Sequence, residues 1–187
     1  MKSALWLTLL ALFLPFSILA ADDVPRWNVL SDKSSIKWAV SYSGKPVEGT
    51  FPSFSSDIRF DPTHLDKSSV NVSVSMAKVT SNDTDAQENL PGGDWLAAEK
   101  YPAAAFKSSS FHHLTGNNYE VDGDLTLRDK TVKVALPFSL RMTDHNAIMD
   151  GTAMIKRLDF GIGQGEWLKT DIVMDEVKVT VHVEAEN

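Results

Sequence analysis

Residues 174–186 read MDEVKVTVHVEAE. Val177, Val179, Val181 and Val183 alternate with Lys178, Thr180 and His182, so the polar and β-branched residues separate strictly by parity. A helix would scatter these valines around its circumference. An extended chain, whose side chains point to opposite faces in turn, gathers them on one side. The stretch therefore predicts a long, half-buried strand.

The same rhythm runs back through the chain. SSIKWAVSY (34–42) places Ile36, Trp38, Val40 and Tyr42 on one face, and FSSDIRF (54–60) repeats the pattern with Phe54, Ser56, Ile58 and Phe60. Val70, Val72, Val74 and Met76 alternate with polar residues; so do Tyr119, Val121, Leu125 and Leu127, then Val132, Val134, Leu136, Phe138 and Leu140. Roughly eight to ten strands result. Ser43-Gly44-Lys45-Pro46, Thr115-Gly116-Asn117-Asn118 and Arg128-Asp129-Lys130 supply the reversals between them. One stretch breaks the rhythm, SNDTDAQENLPGGDWLAAEKYP (81–102). Its second half predicts a short helix capped by Asp94, carrying Trp95, Leu96, Ala97 and Ala98 and ending before Pro102. The whole reads as all-β with a single helical excursion. Long alternating strands joined by hairpins favour an antiparallel barrel over a sandwich, because closure removes exposed edges. Whether its interior is filled or hollow stays open.

Just upstream of the last strand lies RLDFGIGQGEW (157–167), with glycines at 161, 163 and 165. Such a run invites a phosphate-loop reading. That loop needs a following helix, whereas a strand follows here, and the spacing G-x-G-x-G lacks the final offset of the dinucleotide fingerprint. The glycines are instead expected to provide positive φ and close chain approach. Arg157 and Asp159, two apart on an expected strand, predict a structural ion pair.

The first residues, MKSALWLTLLALFLPFSILAADD, combine a charged start, a short apolar run and small residues before Asp22. This predicts a cleavable signal over residues 1–21, a domain over residues 22–187, and export to a periplasm. The run is too short and too interrupted for a spanning helix. The chain has no cysteine, which excludes thiol catalysis, thiolate metal sites and a lipid-modified signal. Without Lys2, 17 basic residues face 25 acidic ones, a net charge of about −8 that disfavours nucleic acid as a partner.

Several blocks together carry a resemblance. RLDFGIG with the final strand, DGDLTLRDKTVKVALPFSL, DWLAAEKYPAAAFKSSSF and GTFPSFSSDIRFDP occur in that family's order from about Trp27 to Glu186. In them the chain resembles the YceI-like family. The resemblance implies a lipocalin-like antiparallel β-barrel of about eight strands, exported, with an apolar tunnel holding a long isoprenoid chain. Quinone-type and polyprenyl lipids are the implied ligands, a cytochrome b561-type membrane protein is an implied partner, and a homodimer is compatible with it. No other cofactor is implied. One departure stands out: where many members carry His and Arg before the aromatic–Leu block, this chain has Asp83, Ala86 and Asn89. Head-group recognition by that segment therefore does not carry over.

The large residues expected inside are Trp38, Tyr42, Phe51, Phe54, Met76, Trp95, Phe106 and Phe138, either as tunnel wall or as plain core filling. The segment around Gly92-Gly93, Asp94 and Trp95 is expected to act as a plug or as a lid at one end of the barrel. Of His64, His112, His113, His145 and His182, none falls in a metal-ligating pattern, and adjacent His112 and His113 point to opposite faces of a strand. Ser75-Met76-Ala77-Lys78 fits S-x-x-K, but the serine ends a strand instead of opening a helix. The sequence thus points to a carrier of an isoprenoid lipid. An interaction module of the stress or adhesion type, with a filled barrel, is the alternative. An enzyme acting on such a lipid ranks last, for want of a catalytic constellation.

Overall fold

The computed structural model describes residues 24–187; the signal expected at residues 1–21 lies outside them. Eleven strands run β1 (Arg26–Val29), β2 (Ser35–Tyr42), β3 (Lys45–Thr50), β4 (Phe54–Arg59), β5 (Ser69–Ser75), β6 (Thr80–Ser81), β7 (Ala103–His113), β8 (Asn118–Leu127), β9 (Lys130–Met142), β10 (Asn146–Lys156) and β11 (Val173–Glu186). Each alternating stretch of the sequence became a strand, and the expected reversals fall between them. Ser43 and Gly44, Gly116 and Arg128 take the positive φ angles those turns require.

All pairings are antiparallel, and eight strands close into a ring in the order β1-β4-β5-β7-β8-β9-β10-β11. β11 returns to β1 through Asn28↔Glu186 and Val29↔Ala185. The first and last strands thus seal the barrel. Along the rest of that edge β11 instead pairs with β2, from Val177↔Val40 to His182↔Ser35, and β3 and β6 continue outward from β2.

Two buried clusters divide the interior. One gathers Trp27, Phe60, Phe111, Val121, Phe138, Leu140, Ala147 and Ala185; in the other are Trp38, Val47, Met76, Val79, Leu96, Ala98, Ala104, Leu127, Phe160 and Ile162. The second is the closed end. Leu96 and Ala98 come from the 82–102 segment, and Leu90 and Trp95 pack against the same cluster. The segment is a plug.

The helix of that segment is not where the sequence pattern put it. It is α1 (Thr84–Asn89), capped by Asp83, whose carboxylate accepts the Ala86 N–H at 2.8 Å. Residues 91–101 form consecutive turns instead: Ala97 N–H donates to Gly92 O, Ala98 N–H donates to Pro91 O, and Ala97 has φ +48°. The Asp94 carbonyl accepts the N–H groups of Gly163 and Gln164, which ties the plug to the glycine-rich loop. Once committed there, it does not serve a helix.

The ion pair expected between Arg157 and Asp159 is also corrected. Residues Arg157–Phe160 form a 3-10 turn, not a strand, with Arg157 1% exposed and Asp159 at the surface. The guanidinium donates to the carbonyls of Ile162, Trp167, Lys169, Val173 and Met174 at 2.7–3.4 Å. It is a staple that folds the 161–174 loop around one side chain. Burial pulls its pKa below the usual arginine value, while the charge of Asp175 opposes the shift. Gly161, Gly163 and Gly165 all have positive φ, as expected, and a Cβ on Gly163 would overlap the guanidinium. The glycine run makes room for an arginine, not a phosphate.

Candidate functional site

The part of the barrel ringed by the Trp27–Phe60 cluster is hollow. A cavity of about 230 Å³ runs through its centre, and every strand of the eight-strand ring contributes to the wall. Most of the lining is medium-sized and aliphatic, such as Val70, Val72, Val134, Val181 and Ile155. An aromatic group closes one side, where Phe60 meets Phe111, Tyr119 and Phe138 edge-on at 5.4–6.4 Å between ring centroids. Among the lining side chains only Ser56 carries a hydroxyl and none is ionisable. The indole N–H of Trp27 is spent on Phe60 O at 2.9 Å. Such a wall offers an occupant apolar contact and almost nothing else.

Two local irregularities aim the aromatic residues inward. β7 carries a bulge between Ser108 and Ser110, which resets the alternation so that both Phe106 and Phe111 face the cavity. Opposite, Gly123 leaves the space that the Phe106 ring occupies; a Cβ there would collide with it. Strict period-two counting cannot find both phenylalanines, because their parity differs.

A second, smaller chamber of about 90 Å³ has a different character. Trp38, Tyr42, Trp95 and Trp167 supply aromatic surface, while Asp83, Asp85 and Asn89 bring polar groups from α1 and its cap. Trp95 and Trp167 are in contact, with centroids 5.5 Å apart and planes tilted by 46°. The Arg157 guanidinium lies 6.0 Å from the Trp95 ring. Asp83, Ala86 and Asn89, the three positions at which the sequence departs from the His- and Arg-bearing pattern, all line this chamber, and no basic residue does. Among the described residues, the Nε1 of Trp38 is the one buried side-chain polar atom without a hydrogen-bond partner.

The eight residues expected inside divide three ways. Phe54, Phe106 and Phe138 line the large cavity. Trp38, Tyr42 and Trp95 border the small chamber, with Tyr42 at the rim and 42% exposed, not inside. Met76 and Phe51 belong to the plugged end and line neither space.

One side-chain group on β7 and β8 resembles a catalytic arrangement only superficially. Ser110 Oγ, His112 and Asp122 lie within hydrogen-bond reach, but the same Nε2 of His112 faces both the serine, at 3.3 Å, and the carboxylate, at 2.9 Å. A nucleophilic triad needs the acid and the serine on opposite ring nitrogens. His113 turns away to Gly116 O and the Tyr119 ring. Ser75 ends β5, and Lys78 is at the surface. Among the described residues no group of three or more His, Asp or Glu is placed to hold a metal.

Comparison with known proteins accounts for this architecture. The YceI-like domain model matches residues 27–185. The chain belongs to the YceI-like family. Among solved structures, this YceI-like barrel is similar to BcnA of Burkholderia cenocepacia, with a TM-score of 0.80 and 33% identity, covering 84% of this chain and 99% of BcnA. It also resembles the Campylobacter jejuni YCEI protein, with a TM-score of 0.66 over 74% of this chain and 84% of that one. At 21% identity, that likeness bears on the fold alone. A UPF0312 protein of Vibrio parahaemolyticus is 29% identical over 190 residues, covering 95% of this chain and all of the relative. Another, from Vibrio campbellii, is 33% identical over 139 residues, 73% of this chain and 72% of the relative.

Proposed function

We propose that this YceI-like protein is a periplasmic carrier that holds a long isoprenoid lipid, quinone or polyprenyl in type, inside its barrel. The observation that carries the reading is the central cavity, walled by aliphatic and aromatic side chains with a single hydroxyl. A flexible hydrocarbon gains on the order of 25 cal/mol for each Å² it buries there, before ordering costs, and loses no hydrogen bonds on leaving water. The chamber beside the plug supports the second half of the reading. Its aromatic faces and polar rim suit a head group, and its carboxylates and lack of cations disfavour a phosphate-bearing one. The family resemblance supports the isoprenoid class, a cytochrome b561-type membrane protein as the acceptor or donor of cargo, and a homodimeric assembly.

A filled interaction module is less well supported, since the middle of the barrel is open space. An enzyme acting on the lipid would need ionisable groups converging on the cavity, and its lining contains none. The lipid is cargo, and no further cofactor enters the reading.

The test is mass spectrometry of an organic extract of mature protein, purified from its native host without detergent. A stoichiometric isoprenoid or quinone, absent from an identically prepared control protein, is expected. Extracts that stay empty even after incubation with host lipid would overturn the reading.

A further inference from the structure

We propose that the isoprenoid chain enters and leaves sideways, through a slit in the barrel wall between β9 and β10. The inference rests on the carrier reading above and adds the route. On its other side β10 is paired along its whole length, and β9 is paired from Lys130 to Ser139. β10 and β11 hold an unbroken register from Asn146↔Glu186 to Lys156↔Glu176, and β8 and β9 do so from Asn118↔Ser139 to Leu127↔Lys130. Between β9 and β10 the register runs only from Ala147↔Met142 to Gly151↔Phe138. Beyond Gly151 the pairing stops, leaving 152–156 without ladder partners in 133–137.

The sequence explains where the separation starts. Pro137, the next position on β9, has no N–H to give to a ladder. The slit is bounded at one end by the Phe138↔Gly151 pair and at the other by the 3-10 turn Arg157–Phe160, which packs against β9. Its length is thus fixed by the fold.

The lips of the slit are chemically suited to a hydrocarbon. Val134 and Leu136 on β9, and Ala153 and Ile155 on β10, line the large cavity directly. On the outside Met154 is 56% exposed, the most open of the large apolar side chains among the described residues. Extending the register places it opposite Ala135. Lys133 is drawn the other way, to Asp124 on β8 at 3.2 Å. Among the described residues no side-chain hydrogen bond or ion pair crosses the slit. Passage there displaces neither the plug nor the Arg157 staple, which an axial route through that end would have to open. A slender hydrocarbon whose only branches are methyl groups can slide between two strands that lack mutual ladder pairing.

The absence of cysteine makes the test direct. Ala135→Cys and Met154→Cys, combined, are bridged by a short bismaleimide that contains a cleavable disulfide, and bridging is verified by intact mass. Uptake of long-chain ubiquinone from phosphatidylcholine vesicles is followed by quenching of tryptophan fluorescence. Bridging is expected to slow uptake by about tenfold or more, and reductive cleavage to restore it. The same linker across Thr126→Cys and Thr131→Cys, which face each other on the paired β8–β9 seam, should change nothing. Unchanged uptake in the bridged protein would overturn the lateral route and leave the carrier reading intact. Failure of the unmodified protein to take up ubiquinone or any other prenyl lipid would instead strike the carrier reading itself. If the double variant does not fold, Ala135→Cys carrying a bulky maleimide substitutes for it, with the same expected loss and the same overturning result.

Discussion

Ala104 and Ala153 both sit on long strands with their methyl groups toward the inside of the barrel, yet they meet different surroundings. Ala104 lies in the buried cluster with Met76, Leu127 and Phe160, 3% exposed. Ala153 faces the open cavity. Nothing in the strands themselves makes the difference. At the Ala104 end, two connecting segments fold inward: the plug, with Leu96 and Ala98, and the loop stapled by Arg157. At the Ala153 level there is no such filler. In this barrel the strands define an inside, and the connections decide how much of it is full.

The largest effect should come from breaking the filled end. Arg157→Met removes five hydrogen bonds to backbone carbonyls, two of them buried, and is expected to cost about 3 kcal/mol or more in urea unfolding. Arg157→Lys should recover only part of that loss, because a point charge cannot reach five acceptors in a plane. A variant as stable as the parent would show that the loop holds itself.

The alanine pair sharpens the comparison at smaller scale. Ala104→Leu forces extra volume into packed surroundings and should destabilise by about 1–3 kcal/mol. Ala153→Leu extends into open space, so its thermal stability should stay within about 0.5 kcal/mol of the parent while the amount of lipid bound at saturation falls. Equal costs at the two sites would mean that the cavity does not persist in solution.

How far the sequence could have led to this contrast depends on the range of the interactions involved. Period-two alternation is local, so nearly every strand and its inward face could be read directly, Val177 to Val183 most clearly. Family resemblance supplied the eight-strand barrel. What the pattern left out were features set by distant partners. Phe111 was missed because a bulge shifts its parity relative to Phe106. Apolar residues and Asp94 suggest a helix over Trp95–Ala98, whereas Asp83 caps a polar helix and the Asp94 carbonyl is held by Gly163 and Gln164. Bulky residues were favoured as tunnel wall, but Met76 and Phe51 lie against the plug, and valines and isoleucines line most of the cavity. Which inward residues meet open space is decided by where residues 82–102 and 157–172 fold back, and no local pattern encodes that.

The smallest effect concerns acid stability at the hollow end. Asp61 precedes the 3-10 turn whose Leu65 packs against the aromatic cluster. Hydrogen bonds from Thr63, then His64, hold its pKa at about 2, below the ordinary aspartate value of 3.8. A carboxylate with a depressed folded pKa contributes stability that is fully present above 3.8 and fades as pH falls through about 2. The side chain is partly solvated, so this amounts to ~1 kcal/mol or less. Thermal melts of the parent and Asp61→Asn should differ at pH 5 and converge near pH 2; a gap that persists at pH 2 would place the effect elsewhere.

The seam between β1 and β11 has a consequence for how the molecule comes into being. Asn28 and Val29 pair with Glu186 and Ala185, so the ring closes only when the last residues meet the first strand. A ribosome delivers one partner before, and the other after, all the remaining strands of the barrel. Until the final strand emerges the wall lacks a stave, and the loop-closure entropy of nearly the full chain stands against finishing it. The barrel is therefore finished only after β11 has been made, and that one pairing is the event that turns an open sheet into an enclosed space.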